Sequence, residues 1–175
     1  MRDKILFLDM DGVVNSNNEL EKYFSNLQKN GYTKENAFKQ FQKDFCYSTE
    51  LIFPVFAKRI TTICEKCDCD IVWSTTWRTI REYRNNIEYA RKMLIKRGIP
   101  GERLIGYTPY LPYSFRHKEI CLWLKTYGKK IKRFAILDDR QDATYNTKRG
   151  RFFQTTIKDG LTEEITNQVI TWLNS

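Results

Sequence analysis

Asp9 and Asp11 stand two residues apart at the end of an apolar run, in the stretch ILFLDMDGVVN at residues 5–15. A second apolar run, RFAILDD, ends in Asp138 and Asp139. A third, CDIVWS, ends in Ser74 with Thr75 and Thr76 behind it. Carboxylates crowded together repel unless they share a cation. An all-oxygen set with few protein carboxylates suits Mg²⁺, which keeps several waters and accepts phosphate oxygens. One carboxylate on such an ion can act as nucleophile and form an aspartyl-phosphate. Another, two residues on, can protonate the leaving oxygen and later activate water. A single DxD reads as a solvated turn; two acidic run ends plus a hydroxyl-bearing one read as a shared site.

For that site to exist, the three runs must be strands that finish at one edge of a sheet. Residues 4–8 are short, apolar and unalternating, as a strand buried on both faces is. CDIVWS, RLIGY, RFAILDD and RFFQTT supply further strands. Helical periodicity separates them. It places Leu20, Phe24 and Leu27 on one face of a helix stopped by Gly31, and Ala37, Phe38, Phe41 and Phe45 on a second helix that Thr33 can cap. It predicts helices over 54–67, over 79–97 through Ile80, Tyr83, Ile87, Ala90 and Leu94, around Ile120, Trp123, Leu124 and Tyr127, and over LTEEITNQVITWL. Strands alternating with helices imply an α/β fold, a parallel sheet with helices on both faces. Ligands in such sheets bind at the carboxyl ends of the strands. The expected organisation is one domain over 1–175, with 16–47 as a small helical insertion after the first strand.

The chain carries 30 Lys+Arg against 21 Asp+Glu, a net charge of +9, which suits a polyanionic partner. The charge is uneven: residues 78–133 hold 15 Lys+Arg against Glu82, Glu88, Glu102 and Glu119, a net +11. A basic region beside an active edge can track a phosphate backbone, although a solvated helix face would read the same way. No apolar stretch approaches membrane-spanning length, so no membrane partner is expected. The five cysteines, an odd number with no signal segment ahead of them, suggest reduced thiols and a cytoplasmic setting. CEKCDC invites a zinc reading. Its only partners would be Cys46, Cys121 and the lone His117, with no second CxxC or HxxxH, so packing of small residues is the better account. No obligate protein partner is implied.

Taken together the motifs resemble those of haloacid dehalogenase (HAD) superfamily phosphatases, whose fold is a Rossmann-like parallel sheet. FLDMDGVVN matches their first motif, DxDx(T/V). IVWSTTW is similar to the second, a hydrophobic strand ending in Ser or Thr. RHKEI resembles the third, a basic residue opening a helix, and FAILDDR the fourth, a strand ending in acids. They occur in the required order across residues 5 to 142. The resemblance implies that Asp9 is nucleophile and metal ligand. It implies that Asp11 is the general acid/base, with its backbone carbonyl on Mg²⁺, and that Thr75 binds the transferring phosphoryl group. Ser74 and Thr76 are rivals of Thr75, and Gly12 and Arg78 join them as substrate-binding residues. Lys118 is implied as the cation steadying nucleophile and phosphate, with Arg116 its alternative. Asp138 and Asp139 are implied as metal ligands and Asp142 as a helper. A departing halide needs no proton and a departing alkoxide does, so Asp11 favours phosphomonoester hydrolysis over dehalogenation.

Substrate choice lies outside these motifs. Large caps in this superfamily enclose small substrates, so a short insertion implies an open site. DGVVN, TTWR, the TP loop and KEICLWL…ILDDR resemble a subgroup associated with nucleic-acid repair, and the phosphatase domain of phage polynucleotide kinase. No GxxxxGK[ST] is present, so a kinase half is not expected. The resemblance thus implies a phosphorylated DNA or RNA end as substrate. A deoxyribonucleotidase is the alternative; its first motif runs on into Ala-Asp, where this chain has Val14-Asn15.

Overall fold

The structure, a computed structural model, describes residues 1–45, 51–84 and 86–175. Its centre is β1 (Lys4–Leu8), whose residues 5–8 are fully buried. β1 is flanked by β2 (Asp70–Trp73) and β4 (Arg133–Asp138), with β3 (Leu104–Tyr107) and β5 (Gly150–Gln154) outside them. The order is β3-β2-β1-β4-β5 and every pairing is parallel, as the alternation of elements predicts.

Because successive strand residues point to opposite faces, β1 feeds two cores. Leu6 and Leu8 pack with α3 (Pro54–Cys67), α4 (Ile87–Lys96) and α6 (Glu163–Leu173). Ile5 and Phe7 pack with Ile120 and Trp123 of α5 (Arg116–Tyr127). Phe7 meets Trp123 and Phe134 edge-to-face, at 5.3 and 5.7 Å between ring centroids, and truncating such a ring to alanine costs about 3–5 kcal/mol.

The expected hairpin is present as α1 (Asn17–Lys29) and α2 (Lys34–Phe45). Ser16 caps the first, accepting from the Glu19 amide at 3.2 Å. The two helices meet through rings, Tyr23 and Phe24 against Phe41, while Phe38 of the expected stripe stays exposed. Cys46 and Tyr47, at the far end of the expected insertion, lie outside the described residues. No helix among the described residues is long and apolar enough to cross a membrane.

One expectation fails in its boundaries. The helix predicted over 79–97 forms only as α4, because Asn86 caps it from inside that range, accepting from the Tyr89 amide at 3.1 Å. Residues 76–79 are instead a short 3-10 turn capped by Thr75. Ile80 and Tyr83 keep their apolar contacts without being helical: Tyr83 is buried against Trp73, 5.5 Å between centroids. Periodic apolar residues report burial on one side, which a turn provides as well as a helix does.

Candidate active site

The sheet's hydrogen bonding runs one residue past each strand, and that lines up the edge. The Asp9 amide donates to the Leu137 carbonyl at 2.9 Å, Ser74 to Leu8 at 2.9 Å, Thr108 to Trp73 at 2.9 Å and Thr155 to Asp138 at 3.1 Å. Thr108, Ser74, Asp9, Asp138 and Thr155 therefore stand side by side, all buried. Parallel strands in register make one edge out of five distant stretches of sequence.

Asp9 sits at the centre of that edge. Burial pushes its carboxyl up; the Arg116 guanidinium and a hydrogen bond with the Thr75 side chain pull it back. Asp138 is pushed up to about 8, by burial first and then by Asp9. Asp139 is raised too, chiefly by burial. Oxygens of Asp9, Asp138 and Asp139 lie within 4.8 Å of one another. Asp138 Oδ2 is buried with no hydrogen-bond donor among the described residues. Three hard oxygen donors, one without a hydrogen bond, fit a divalent cation such as Mg²⁺.

Asp11 is exposed just beyond Asp9 and is aimed by two donors. Trp77 Nε1 reaches its Oδ2 at 2.9 Å and Asn15 Nδ2 its Oδ1 at 3.0 Å. Asn15 also accepts from the Gly12 amide at 2.8 Å. Gly12 has φ +68, and a Cβ there would fall 2.7 Å from the Asp139 Cβ. Only glycine turns the chain there and lets Asp139 close in.

The two candidate cations separate cleanly. Arg116, the first residue of α5, is buried. Its Nη2 lies 3.8 Å from Asp9 and its Nε 3.5 Å from Asp138, and it donates to the Ser74 carbonyl. Lys118 is exposed, its Nζ 5.7 Å from the centre of the Phe115 ring. The third-motif cation expected at Lys118 is thus placed away from Asp9, and Arg116 takes that position. The reason is helical geometry: at the first turn of α5, a residue two positions on points about 200° around the axis. Among the hydroxyls, Thr75 is the one that bonds Asp9. Ser74 Oγ is buried without a partner among the described residues, and Thr76 lines a cleft beside Arg116. Asp142 accepts from Arg140 at 2.7 and 2.9 Å and from the Arg116 amide at 3.2 Å, anchoring the start of α5.

Arg78 is buried as well. It donates to Glu119 at 2.5 Å and to the Thr75 carbonyl. Burial lowers its pKa and Glu119 raises it. Arg78 therefore braces the Thr75 backbone rather than facing solvent. Sequence reasoning missed Glu119 as its partner, and missed Trp77 and Asn15 as the donors to Asp11. Asn15 had a signal, four residues after Asp11; Glu119, 41 residues from Arg78, had none.

Grooves open beside Asp11 and Arg116, with residues of the 76–79 turn in the walls of each. One, of about 490 Å³, runs past Asp11 and Asn15 and is walled by Leu20, Leu51, Trp77 and Ile80. Between them the others are lined by Arg78, Arg84, Tyr110 and Arg140.

Comparison with known proteins agrees with this architecture. No curated protein sequence matches the chain. A crystal structure of the Legionella pneumophila effector Ceg4 superposes with a TM-score of 0.52, covering 98% of this chain and 95% of that one at 16% identity, a likeness of fold. Residues 5–165 match the family described as the HAD domain in Swiss Army Knife RNA repair proteins. With all four motifs inside that span, the chain belongs to this family of HAD domains.

Proposed function

We propose that the chain is a Mg²⁺-dependent phosphomonoester hydrolase working through an aspartyl-phosphate on Asp9, and that its substrate is a phosphorylated DNA or RNA end. The observation that carries this is the buried Asp9 carboxylate facing Arg116, with Asp11 held two residues on by Trp77 and Asn15. An Asp9 oxygen attacks phosphorus as the bond to the leaving oxygen breaks, and Asp11 gives that oxygen its proton. Asp11 then takes a proton from the water that attacks phosphorus, releasing phosphate and restoring Asp9. Arg116 and the Thr75 hydroxyl steady the phosphoryl oxygens. Mg²⁺ held by Asp9, Asp138, Asp139 and the Asp11 carbonyl would offset the phosphoryl charge.

The nucleic-acid end is supported by the family, whose members are described as parts of RNA repair proteins, and by the cationic groove beside Arg116. The free thiols of Cys64, Cys67, Cys69 and Cys121 suit a reducing compartment such as the cytoplasm. A nucleotidase is the second reading, favoured by the apolar groove beside Asp11, which has room for one nucleoside. The test is Mg²⁺-dependent phosphate release from 3′- and 5′-phosphorylated oligonucleotides, deoxymononucleotides and p-nitrophenyl phosphate. Oligonucleotides are expected to be turned over best; mononucleotides turned over equally well would move the assignment to the nucleotidase.

A further inference from the structure

The loop at residues 108–115, between β3 and α5, carries three large rings that lie outside both apolar cores. Tyr110 is 56% exposed, Phe115 57%, and Tyr113 fully exposed. Tyr113 also has φ +59, a conformation strained for a bulky side chain. A strained backbone that places a ring wholly in water adds nothing to the core. The loop is nonetheless held in place. Glu119, buried, accepts from the Leu111 amide at 3.0 Å and from Arg78, and the Arg78 guanidinium lies 5.8 Å from the Tyr110 ring centroid. One buried ion pair thus fixes both the Thr75 backbone and a solvent-facing aromatic platform.

The platform lines two adjoining cavities that share Arg78 and Tyr110. A cleft of about 220 Å³ reaches Arg116, and it is lined by Tyr110, Tyr113 and Arg140. A groove of about 400 Å³, on the other side of the shared Arg78 and Tyr110, is lined by Arg84. Arg84 has no ion pair among the described residues, and Arg140 is half exposed although paired with Asp142. Rings alternating with cations along a groove match a chain of bases and phosphates. A phosphopeptide would need cations near its one phosphate but no row of ring faces.

We propose that these adjoining cavities take unpaired nucleic acid, so that the enzyme acts on single-stranded ends, with bases stacked on Tyr110 and Tyr113 and the backbone passing Arg140 and Arg84. It rests on the reading of the site as a nucleic-acid end phosphatase. In a duplex the base faces are already stacked on one another, and a blunt end shows only its terminal pair. An unpaired end offers each base to a ring in turn.

The experiment compares a phosphorylated six-nucleotide single strand, the same end in a blunt duplex, a mononucleotide, a phosphoserine peptide and p-nitrophenyl phosphate, in the wild type, Y110A/Y113A and Y110F/Y113F. The wild type is expected to favour the single strand over the blunt duplex by about tenfold or more. In Y110A/Y113A the single-strand to p-nitrophenyl phosphate ratio of kcat/KM is expected to fall by at least about tenfold, carried by KM, because two base stacks are lost. The phenylalanine pair, which keeps both rings, is expected to restore it. Equal turnover of blunt and unpaired ends, or an unchanged ratio in Y110A/Y113A, overturns the inference while leaving the phosphatase assignment in place. Mononucleotides or a phosphopeptide turned over as well as oligonucleotides would instead overturn the nucleic-acid reading beneath it.

Discussion

The two edges of the sheet are both rich in cations, yet among the described residues only the carboxyl edge buries arginines beside carboxylates. At the carboxyl edge, Arg116 and Arg78 are buried and face carboxylates, Asp9 and Asp138 in one case and Glu119 in the other. At the amino edge, Lys4, Lys132, Arg133, Lys148 and Arg149 line a groove of about 420 Å³, and Lys125, Lys148 and Arg149 line a neighbouring pocket of about 350 Å³. Among the described residues the one side-chain ion pair these groove cations make is Lys132 with Asp3 at 2.8 Å, both substantially exposed; farther along the same edge the half-exposed Arg2 bridges Asp68 and Asp70 at 2.6 Å each, and Arg103 meets Asp68 at 2.7 Å. Cations in water attract polyanions weakly and within a Debye length of about 8–10 Å. Opposite charges desolvated together can hold a phosphoryl group and move a proton. On the proposed function, net charge marks where a polyanion is drawn, and the buried mixture of signs marks where it reacts.

The sharpest way to break this contrast is Asp9→Asn. The change keeps shape and removes the nucleophile, so hydrolysis of every phosphomonoester is expected to fall at least about a thousandfold. Since burial already pushes the Asp9 carboxyl toward its neutral form, the metal-free variant is expected to melt at or above the wild-type temperature. Wild-type turnover in Asp9→Asn would exclude the covalent route.

Next in size is the choice of cation. Arg116→Ala is expected to cost about 10²–10³ in kcat, the usual loss when one donor to a charged transition state is removed. Lys118→Ala is expected to cost at least about tenfold less, because its ammonium sits over Phe115 rather than beside Asp9. Arg116→Lys restores charge but not the fork that spans Asp9, Asp138 and the Ser74 carbonyl, so only partial recovery is expected. Steady-state kinetics on p-nitrophenyl phosphate would read all three, and a larger loss at Lys118 would reverse the assignment.

The acidic trio gives a smaller, pH-dependent effect on stability. The metal-free protein holds Asp138 raised to about 8 by burial and Asp9, against 3.8 for the free side chain. Between those values the folded chain binds more protons than the unfolded one, so this group's contribution to stability is lost as pH rises toward 8. In EDTA the melting temperature is expected to fall as pH rises across that window, opposite to ordinary acid unfolding. Saturating Mg²⁺, which binds the ionised carboxylates, is expected to flatten the slope, and Asp138→Asn to reduce it. Asp138→Asn is also expected to raise the Mg²⁺ needed for half-maximal activity about tenfold or more. A metal-free melting curve that rises with pH would mean the trio is not desolvated as described.

Much of the carboxyl edge was legible because strand ends carry their own punctuation. The apolar runs into Asp9, Ser74 and Asp138 fix both the strand and its terminus, and parallel pairing does the rest. Hidden from the sequence were pairings between distant residues, Arg78 with Glu119 above all, since nothing local distinguishes a buried arginine from a solvated one. The basic stretch at 78–133 shows this. Arg91 is spent on Glu88 and the Leu104 carbonyl, Arg103 on Asp68, and Arg78 on Glu119, so the +11 read from sequence overstates what a nucleic acid would meet. The 79–97 helix misread has the same root: Ile80 and Tyr83 are apolar because the turn packs on Trp73, a contact that periodicity cannot tell from a helical one.

The smallest expected effect concerns the amino edge. Lys125, Lys148 and Arg149 converge on one pocket at the end of the sheet opposite Asp9, too far to touch a phosphoryl group there. Their service to catalysis can only be long-range attraction of a polyanion, which salt screens. Replacing all three with alanine is therefore expected to change oligonucleotide turnover by less than about twofold at 0.15 M salt, and to lower it several-fold at 0.01 M, where the Debye length is about 30 Å. Arg84→Ala, in the groove beside Tyr110, is expected to act at both salt concentrations, because a direct phosphate contact survives screening. The measurement is kcat/KM for the six-nucleotide strand against salt for each variant. If the triple variant matched Arg84→Ala at 0.15 M, the amino edge would be contacting the strand, and the contrast between the two edges would dissolve.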